Sequence, residues 1–364
     1  MALFETKQRR KIPSNLLSDR FLVPPFSVLD TKQGYWQERK RNWVSLGIKS
    51  ELGRGEKLTF TIDRNDEKFE RYNNIKSAFS GGSTSLNGSA KNMQKMAFSM
   101  GGGVVSKSGA EKYGRKPQQT SIFDPVVCEL AYKWFSREGD WVLDPFAGGS
   151  VRGMIAGALG RYYVGVDLSE LQIKANEQQY KDISEKYTDI VKPTWINGDS
   201  TYISELTKGH KFDMIFSCPP YYNLEVYSDR EEDLSCKSTY KEFLVGYEDI
   251  IEKCCSQLND DAFAIFVVGN VRDDKTGMYY DLSGDTVRAF QKAGLGYYNE
   301  GIIVNVAGTL PVRAPILFNR SRKLGKQHQQ FLVFYKGNPK NIKDKFGSFE
   351  PEEESDGTNS DSES

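Results

Sequence analysis

Residues 141–169 read WVLDPFAGGSVRGMIAGALGRYYVGVDLS, and this stretch decides the fold class. The apolar run WVLDPF predicts a short buried strand. Glycines and small residues follow it and lead into a predicted helix over 150–160. A second apolar run, 162–169, predicts the next strand. A strand, a helix and a strand in so short a stretch are typical of a parallel βαβ unit.

The same alternation continues towards the C-terminus. Further strands are predicted at 193–198, 212–217 and 262–269, and further helices at 170–187, 240–258 and 283–294. Two final strands, 299–306 and 329–337, follow each other without a helix and predict an antiparallel pair at one edge. We therefore predict an α/β fold with a mostly parallel, Rossmann-like sheet covered by helices on both faces.

Composition divides the chain into three parts. Residues 1–115 carry 21 Lys and Arg against 11 Asp and Glu, and include a Gly/Ser-rich stretch at 80–103 typical of a linker. Residues 116–340 hold the predicted catalytic domain. Residues 341–364 form a predicted disordered acidic tail, with seven acids in 350–364. The basic first part suggests a polyanionic partner, with DNA contact as one role and a solvated surface as the alternative.

The amino-acid usage excludes several function classes. Five cysteines show no CxxC spacing, and only two histidines are present, so we expect no metal site and no histidine base. No apolar run is long enough for a membrane span, and the N-terminus lacks a signal-like apolar segment. A reducing cytoplasm is the expected location. The sequence leaves the oligomeric state open, a homodimer included.

Acidic residues end three successive predicted strands. Asp144 ends the first strand, and a ligand can approach the backbone at the glycines that follow it. Asp167 ends the second strand, where a carboxylate can accept hydrogen bonds from ribose hydroxyls. Asp199 ends the third, in a position suited to an adenine amino group. The predicted cofactor-binding residues in these strand-end segments are Asp144, Phe146, Ala147, Gly148, Gly149, Asp167, Leu168, Asp199 and Ser200.

These segments fit an adenosine site without a phosphate clamp. Neither the dinucleotide pattern G-x-G-x-x-G nor a P-loop lysine is present. S-Adenosylmethionine has no phosphate, and acids attract its sulfonium cation. We therefore predict S-adenosylmethionine as the cofactor. The alternative for any single aspartate is a turn or helix-capping role.

The fourth predicted strand ends in SCPPYYNLE, 217–225, and here the chain resembles the amino-group DNA methyltransferases. In that family Asp, Asn or Ser precedes Pro-Pro and an aromatic residue. The run from Thr120 to Gly337 is similar to phage-type DNA methylases in the segments DPFAGGSVRG, SCPPYYNLEVYSD, GDTVRAF and SRKLGKQHQQFLVFYKG. The resemblance implies a class I methyltransferase sheet, and it implies that Thr120 and Phe123 pack over the methionine end of the cofactor.

The resemblance also implies roles for the catalytic segment. The carbonyl groups of Cys218 and Pro219 would face an exocyclic amine, and Pro220 would stiffen the loop. Tyr221 would stack on a base that has left its helix, and Tyr222 would line the pocket. Most of the rate would come from alignment of the amine with the methyl group.

Cys218 departs from the family pattern, and three interpretations stay open. It can be a small polar substitute for the usual acceptor, although a thiol accepts hydrogen bonds weakly. It can be a covalent nucleophile for pyrimidine C5. In the third interpretation the register is shifted by one residue, and Ser217 supplies the acceptor.

Basic and aromatic residues supply a candidate DNA surface. The stretch 34–43, GYWQERKRNW, either stacks on nucleic acid through Trp36 and Trp43 or forms an amphipathic helix with a solvated basic side. The further predicted substrate-binding residues are Asn270, Arg320, Arg322, Lys323 and Lys326.

Together the patterns predict a site-specific DNA methyltransferase that modifies an exocyclic amine, adenine N6 first and cytosine N4 second. The alternatives are an RNA adenine methyltransferase, a C5-pyrimidine methyltransferase that uses Cys218, and a non-catalytic nucleic-acid-binding protein that keeps the fold.

Overall fold

A computed structural model describes residues 17–48, 123–222, 232–273, 275–308 and 310–349 of the chain. The strands within these ranges are β1 Val28–Asp30, β2 Trp141–Asp144, β3 Tyr162–Asp167, β4 Thr194–Asn197, β5 Phe212–Ser217, β6 Leu258–Val268, β7 Val271–Arg272, β8 Tyr279–Tyr280, β9 Gly296–Val304 and β10 His328–Lys336. The α-helices are α1 Leu17–Phe21, α2 Gly34–Ser45, α3 Pro125–Phe135, α4 Val151–Ala158, α5 Glu170–Ser184, α6 Ile203–Leu206, α7 Tyr240–Gln257, α8 Leu282–Lys292, α9 Leu310–Ser321 and α10 Ile342–Phe346.

Eight strands form one sheet in the order β1-β9-β10-β6-β5-β2-β3-β4, and β7 and β8 form a separate hairpin. β2, β3, β4, β5 and β6 run parallel to their neighbours in this group, while β10 is antiparallel to both β6 and β9. Helices cover both faces. This is the mostly parallel class I methyltransferase sheet, and the predicted fold class is confirmed.

The two faces of the sheet carry two apolar cores. Along β10, Phe331, Val333 and Tyr335 belong to the first core, and the intervening Leu332 and Phe334 belong to the second core. Successive side chains of a strand point to opposite faces. Because both faces are covered, β2, β5 and the second half of β6 are mainly apolar and buried, whereas the first five residues of β9 are exposed.

The N-terminal segment 17–48 departs from the predicted domain division. β1 pairs in parallel with β9 through Val28↔Ile302, so a strand from the first part of the chain forms the edge of the catalytic sheet. The last two strands pair antiparallel as predicted, but β1 and not β9 forms the edge of the sheet, and helix α9 lies between the two strands where the sequence predicted no helix. A three-residue strand of this kind has too short a pattern to be recognised from sequence.

Helix α2 packs against α3 through buried aromatic rings. Trp43 donates from Nε1 to Glu129 Oε2 at 2.9 Å, and Arg39 pairs with the same carboxylate at 3.1 Å. Trp36 and Trp43 are both buried, which excludes the predicted stacking of these two rings on nucleic acid. The amphipathic-helix alternative describes this stretch.

The opposite end of the chain also extends the fold beyond the predicted boundary at residue 340. The ring of Phe346 in α10 lies 5.2 Å from that of Phe263 in β6, and Phe349 stacks on Phe21 at 5.7 Å. The Gly/Ser-rich stretch 80–103, Thr120 and the acidic segment 350–364 lie outside the described residues.

No helix in the described ranges is both long enough and apolar enough to cross a membrane. Within the same ranges, no group of three or more His, Cys, Asp or Glu side chains is placed to hold a metal ion.

Candidate active site

A cavity of about 710 Å³ lies where the carboxyl ends of the parallel strands meet. Fourteen of the predicted site residues line it: Phe123, Phe146, Gly148, Gly149, Asp167, Leu168, Asp199, Ser200, Cys218, Pro219, Pro220, Tyr221, Asn270 and Lys326. The predicted cofactor and catalytic segments therefore open into one continuous space. Ligand sites of open α/β sheets occur at this edge.

Asp144 lies beneath the cavity and does not line it, so its prediction as a direct cofactor ligand is corrected. The carboxylate is fully buried. It accepts hydrogen bonds from Phe146 N at 3.1 Å, Arg152 Nε at 2.6 Å, Tyr163 Oη at 2.7 Å and Ser217 Oγ at 2.6 Å. These donors come from two strands, the loop after β2 and helix α4. Asp144 thus holds the floor of the site together.

Arg152 completes this buried group. Its guanidinium also donates to the carbonyl oxygens of Phe146 and Ala147, at 2.5 and 2.9 Å. Burial alone would lower the pKa of Arg152, but the charge of Asp144, the hydrogen bond to it and further nearby groups together raise this pKa above its usual value. Ala147 is fully buried and contributes no wall to the cavity. The ion pair therefore sets the path of the loop that leads to Gly148.

Gly148 and Asp167 join the first two strand ends. Gly148 has φ +51°, in the left-handed region that glycine tolerates best. Its amide donates to Asp167 Oδ2 at 2.8 Å, while Ser169 N donates to Asp167 Oδ1 at 2.8 Å. Asp167 is thus held at the cavity wall by backbone amides.

Asp199 and Ser200 continue the wall after β4. Asp199 caps the short 3₁₀-helix Ser200–Tyr202 by accepting from Thr201 N at 2.8 Å. Ser200 Oγ donates to the carbonyl oxygen of Pro145 at 2.5 Å. Asp199 therefore has the helix-capping role that the sequence left open as an alternative, and it also lines the cavity.

Two residues of the N-terminal segment line the same cavity, Thr31 and Lys40. Lys40 Nζ lies 2.9 Å from Asp124 Oδ2, and Trp36 Nε1 donates to the same oxygen at 3.3 Å. Asp124 also caps α3 by accepting from Val126 N. Next to it, Phe123 lies under the guanidinium of Arg152 at 4.9 Å. An ion pair therefore borders the cavity beside the predicted cofactor segment.

The catalytic segment turns into the cavity directly after β5. Cys218 Sγ lies 3.6 Å from Tyr221 Oη. That hydroxyl donates to the carbonyl oxygen of Val267 at 3.3 Å and accepts from Gln329 Nε2 at 2.7 Å. Three strand ends, those of β5, β6 and β10, thus fix the orientation of the Tyr221 ring.

Ser217 and Tyr222 do not take the predicted substrate-binding roles. Ser217 is fully buried, and its hydroxyl donates to Asp144, so the register in which Ser217 is the acceptor is corrected. Tyr222 has φ +53° and turns into the second core, where its ring packs against Tyr240 and Phe243. Its hydroxyl donates to the carbonyl oxygen of Ser238 at 3.3 Å.

Lys326 lies inside the site and not on an outer surface. Its amine donates to the carbonyl oxygen of Asn270 at 2.7 Å. A methyl group on Gly269 would meet that amine at 2.9 Å and the Tyr221 ring at 3.5 Å, so amine and ring flank the same backbone position. Burial lowers the pKa of Lys326 to about 8, and the nearby charge of Arg272 acts in the same direction.

The other predicted substrate residues divide into two groups. Asn270 lines the cavity, but its side chain accepts from Ser283 N at 2.8 Å and so ties the link between β6 and β7 to α8. Arg320, Arg322 and Lys323 lie in or just after α9, outside the cavity lining.

Sequence reasoning missed Lys40, Gln329 and Arg152 as parts of the site. Each belongs to a quoted motif, but the partners of Lys40 and Gln329 lie far away in the chain. Gln329 reaches Tyr221 across 108 positions, and Lys40 reaches Asp124 across 84. An arginine within the small-residue stretch SVRGMIAGALG was the signal for Arg152, since a charge in a buried helix requires a buried partner.

The strand order and the strand-end cavity define a class I methyltransferase fold. No protein-family model matches the chain. A segment of 83 residues, 23% of the chain, is 41% identical to the type II methyltransferase M.HinfI of Haemophilus influenzae. The match covers 21% of that protein, so the chain spans about a fifth of the length of this curated relative.

The chain is also similar in fold to solved structures with low sequence identity, among them the following three. TrmN from Thermus thermophilus is 14% identical, with 59% of this chain and 49% of that chain covered and a TM-score of 0.39. The magnesium protoporphyrin IX methyltransferase ChlM from Synechocystis PCC 6803, solved with bound SAM, is 13% identical, with 75% and 93% covered and a TM-score of 0.36. A SAM-dependent methyltransferase from Methanosarcina mazei is 13% identical, with 60% and 99% covered and a TM-score of 0.39.

Proposed function

We propose that this chain is an S-adenosylmethionine-dependent DNA methyltransferase that modifies an exocyclic amine, adenine N6 first and cytosine N4 second. One observation carries the proposal. The segment Cys218-Pro219-Pro220-Tyr221 lines the same cavity as the strand-end residues Asp167 and Asp199. A nucleobase bound at Cys218–Tyr221 and a cofactor bound at Asp167 and Asp199 would therefore meet within one cavity.

The chemistry of the cavity wall fits S-adenosylmethionine. Asp167 and Asp199 offer carboxylates to the ribose hydroxyls and the adenine amine, and the loop at Gly148 and Gly149 lets the ligand approach the backbone. The Lys40–Asp124 pair offers both signs of charge to an amino-acid zwitterion. The cavity volume of about 710 Å³ lies within the usual range for such ligands.

When bound, S-adenosylmethionine would supply an electrophilic methyl group on a sulfonium, with the neutral thioether S-adenosylhomocysteine as the leaving group. The residues of the chain contribute positioning. Backbone carbonyls at Cys218 and Pro219 accept hydrogen bonds from the amine, and the fixed φ of proline keeps these acceptors in place. Tyr221, held by Gln329 and Val267, stacks on the base. Alignment of this kind is worth several orders of magnitude in rate.

Two observations support DNA as the substrate. The sequence SCPPYYNLE resembles the catalytic motif of the amino-group DNA methyltransferases. The curated protein with 41% identity over 83 residues is a type II methyltransferase. RNA methylation and a binding protein without turnover are the outcomes that the experiment has to separate from DNA methylation.

The experiment measures transfer of a labelled methyl group from the cofactor to duplex DNA and, in parallel, to RNA. We expect incorporation into DNA. Transfer only to RNA, or cofactor binding without transfer to either polymer, would overturn the proposal. Tyr221→Ala should lose at least about fivefold in turnover, since stacking on an aromatic ring is worth about 1–3 kcal/mol per base, and should keep its affinity for S-adenosylhomocysteine. Tyr221→Phe, which retains the ring, is the matched control and should lose much less.

A further inference from the structure

The segment between β9 and β10 begins and ends on the side of the sheet where the cavity lies, at the carboxyl ends of the parallel strands. β10 is antiparallel to both β6 and β9, so the carboxyl ends of β6 and β9 lie at one edge. Val304 pairs with His328 there, and Val268 pairs with Gln330. The connection from Asn305 to Gln327, which contains helix α9, therefore stands beside the mouth of the cavity.

Helix α9 projects from the body of the protein. None of its 12 residues is buried. Leu310 and Ala314 pack over the position of Gly325 on the return segment. By contrast, Val312, Leu317 and Phe318 are 47%, 42% and 43% exposed. A helix with its apolar side chains in solvent gains little stability from the core, so packing alone does not explain it.

The charge of this segment has one sign. Between Asn305 and Gln327 the sequence has five cations and no acid: Arg313, Arg320, Arg322, Lys323 and Lys326. Arg313 and Arg320 lie seven residues apart on α9, close to two helical turns, so both project from the same side of the helix. The guanidinium of Arg322 lies over the Phe318 ring at 5.2 Å. The segment thus combines exposed apolar side chains with a positive charge that no acid of its own sequence balances.

The hairpin β7–β8 supports the return segment of this connection. A methyl group on Gly277, at the turn of the hairpin, would lie 2.5 Å from Lys323 Nζ. The hairpin also presents the guanidinium of Arg272, at 3.7 Å from the centre of the Tyr279 ring. The side chain of Lys323 therefore rests on a neighbouring element beside the cavity mouth.

We propose that helix α9 is the duplex-binding element of this protein: it lies in the major groove of DNA while Arg313, Arg320, Arg322 and Lys323 contact phosphates. This inference rests on the proposed function and names the part of the surface that holds the substrate. A base flipped out of the duplex would then enter the adjacent cavity.

The shape of the helix favours DNA over double-stranded RNA. An α-helix is about 10–12 Å across, and the major groove of B-DNA is about 12 Å wide. The major groove of A-form RNA is deep and narrow and does not admit a helix in this way. The exposed Val312 and Leu317 suit the thymine methyl groups that the DNA groove presents.

The experiment measures the affinity of the full chain for duplex DNA as a function of salt. The variant is Arg313→Gln, Arg320→Gln, Arg322→Gln and Lys323→Gln combined. Each phosphate contact contributes about 0.9 to the slope of log K against log salt, so we expect the slope to fall by up to about 3.6 and the affinity at about 150 mM salt to fall at least thirtyfold. The matched control, Lys340→Gln with Lys343→Gln, removes exposed charge at the opposite edge of the sheet and should leave the slope unchanged.

Thermal unfolding and S-adenosylhomocysteine affinity check that each variant is folded. If the fourfold variant is not, the double variant Arg313→Gln with Arg320→Gln takes its place, with an expected fall in slope of up to about 1.8. An unchanged slope, an equal loss in the control, or tighter binding of duplex RNA than of duplex DNA would overturn the assignment of α9. A wild-type chain that transfers no methyl group to DNA would instead overturn the proposed function, so the two failures are distinguishable.

Discussion

Ser217 donates a hydrogen bond from Oγ to Asp144 Oδ1 over 2.6 Å, inside the sheet. Both residues are fully buried. The last residue of β5 is thus tied to the last residue of β2, and Cys218 is the first residue of the segment to reach the cavity. This contact assigns the position before Pro-Pro to Cys218 and removes Ser217 from contact with a substrate.

The first prediction concerns the role of Cys218. If Cys218 is a small polar substitute for the usual acceptor, Cys218→Ser keeps or raises the rate, since a hydroxyl is the better acceptor. Cys218→Ala should lose about three- to tenfold, the value of one hydrogen bond. Single-turnover methylation measures both rates. Complete loss in Cys218→Ser with unchanged cofactor affinity would support a covalent nucleophile in place of an acceptor.

The second prediction concerns the buried ion pair beneath the cofactor loop. Arg152→Met leaves the Asp144 charge buried without its ionic partner. The free energy of unfolding, measured in denaturant, should therefore fall by about 3–5 kcal/mol. The cofactor should also bind more weakly, because Arg152 holds the carbonyls of the loop at 2.5 and 2.9 Å.

The matched control for this change is Arg137→Met. Arg137 pairs with Asp140 at 3.2 Å, but its side chain is 50% exposed. A partly exposed pair should cost less than about 1 kcal/mol. Equal losses for the two substitutions would show that the Arg152–Asp144 pair does not organise the floor of the site.

The third prediction concerns Lys40. If the Lys40–Asp124 pair receives the amino-acid end of the cofactor, Lys40→Met should weaken S-adenosylhomocysteine binding about tenfold, as expected for loss of a charge-assisted hydrogen bond. Binding of 5′-methylthioadenosine, which lacks the amino-acid group, should not change. Calorimetry measures both affinities. The neighbouring exposed Arg41→Met is the control, and an equal effect on both ligands would contradict the assignment.

The fourth prediction concerns the pH dependence of DNA binding. The pKa of Lys326 is lowered to about 8, so the amine is mostly neutral at pH 9 in the free protein. A polyanion favours the charged form and raises this pKa, and binding at pH 9 should therefore take up protons. At pH 6.5 the amine is already charged and uptake through it should be absent.

Calorimetry in buffers of different ionisation enthalpy measures this uptake. Lys326→Met removes the titrating group and Lys326→Arg stays charged, so both should abolish the uptake at pH 9. Persistence of the uptake in both variants would assign it to another group.

Elements defined by a local sequence pattern could be predicted from the sequence, whereas elements defined by tertiary contacts could not. The β2–α4–β3 unit was predictable because its apolar runs and glycines lie within 141–169, and the strand-end aspartates followed from it. β1 could not be predicted, because a strand of three residues is defined only by its pairing with the residues 302–304, which lie far along the chain.

The site shows the same division. Cys218 and Tyr221 were identified from their motif, whereas the burial of Asp144 depends on donors from four separate segments. Tyr222 was assigned to the pocket because it follows Tyr221. A backbone φ of +53° turns it into the core instead, and no local pattern indicated that conformation.

The most direct test of the central claim is the identity of the methylated nucleoside. Duplex DNA is incubated with the protein and labelled S-adenosylmethionine, digested to nucleosides and separated by chromatography with mass detection. We predict label in N6-methyladenine, or in N4-methylcytosine as the second candidate. Label in 5-methylcytosine, or no label in DNA when the cofactor is bound, would contradict transfer to an exocyclic amine.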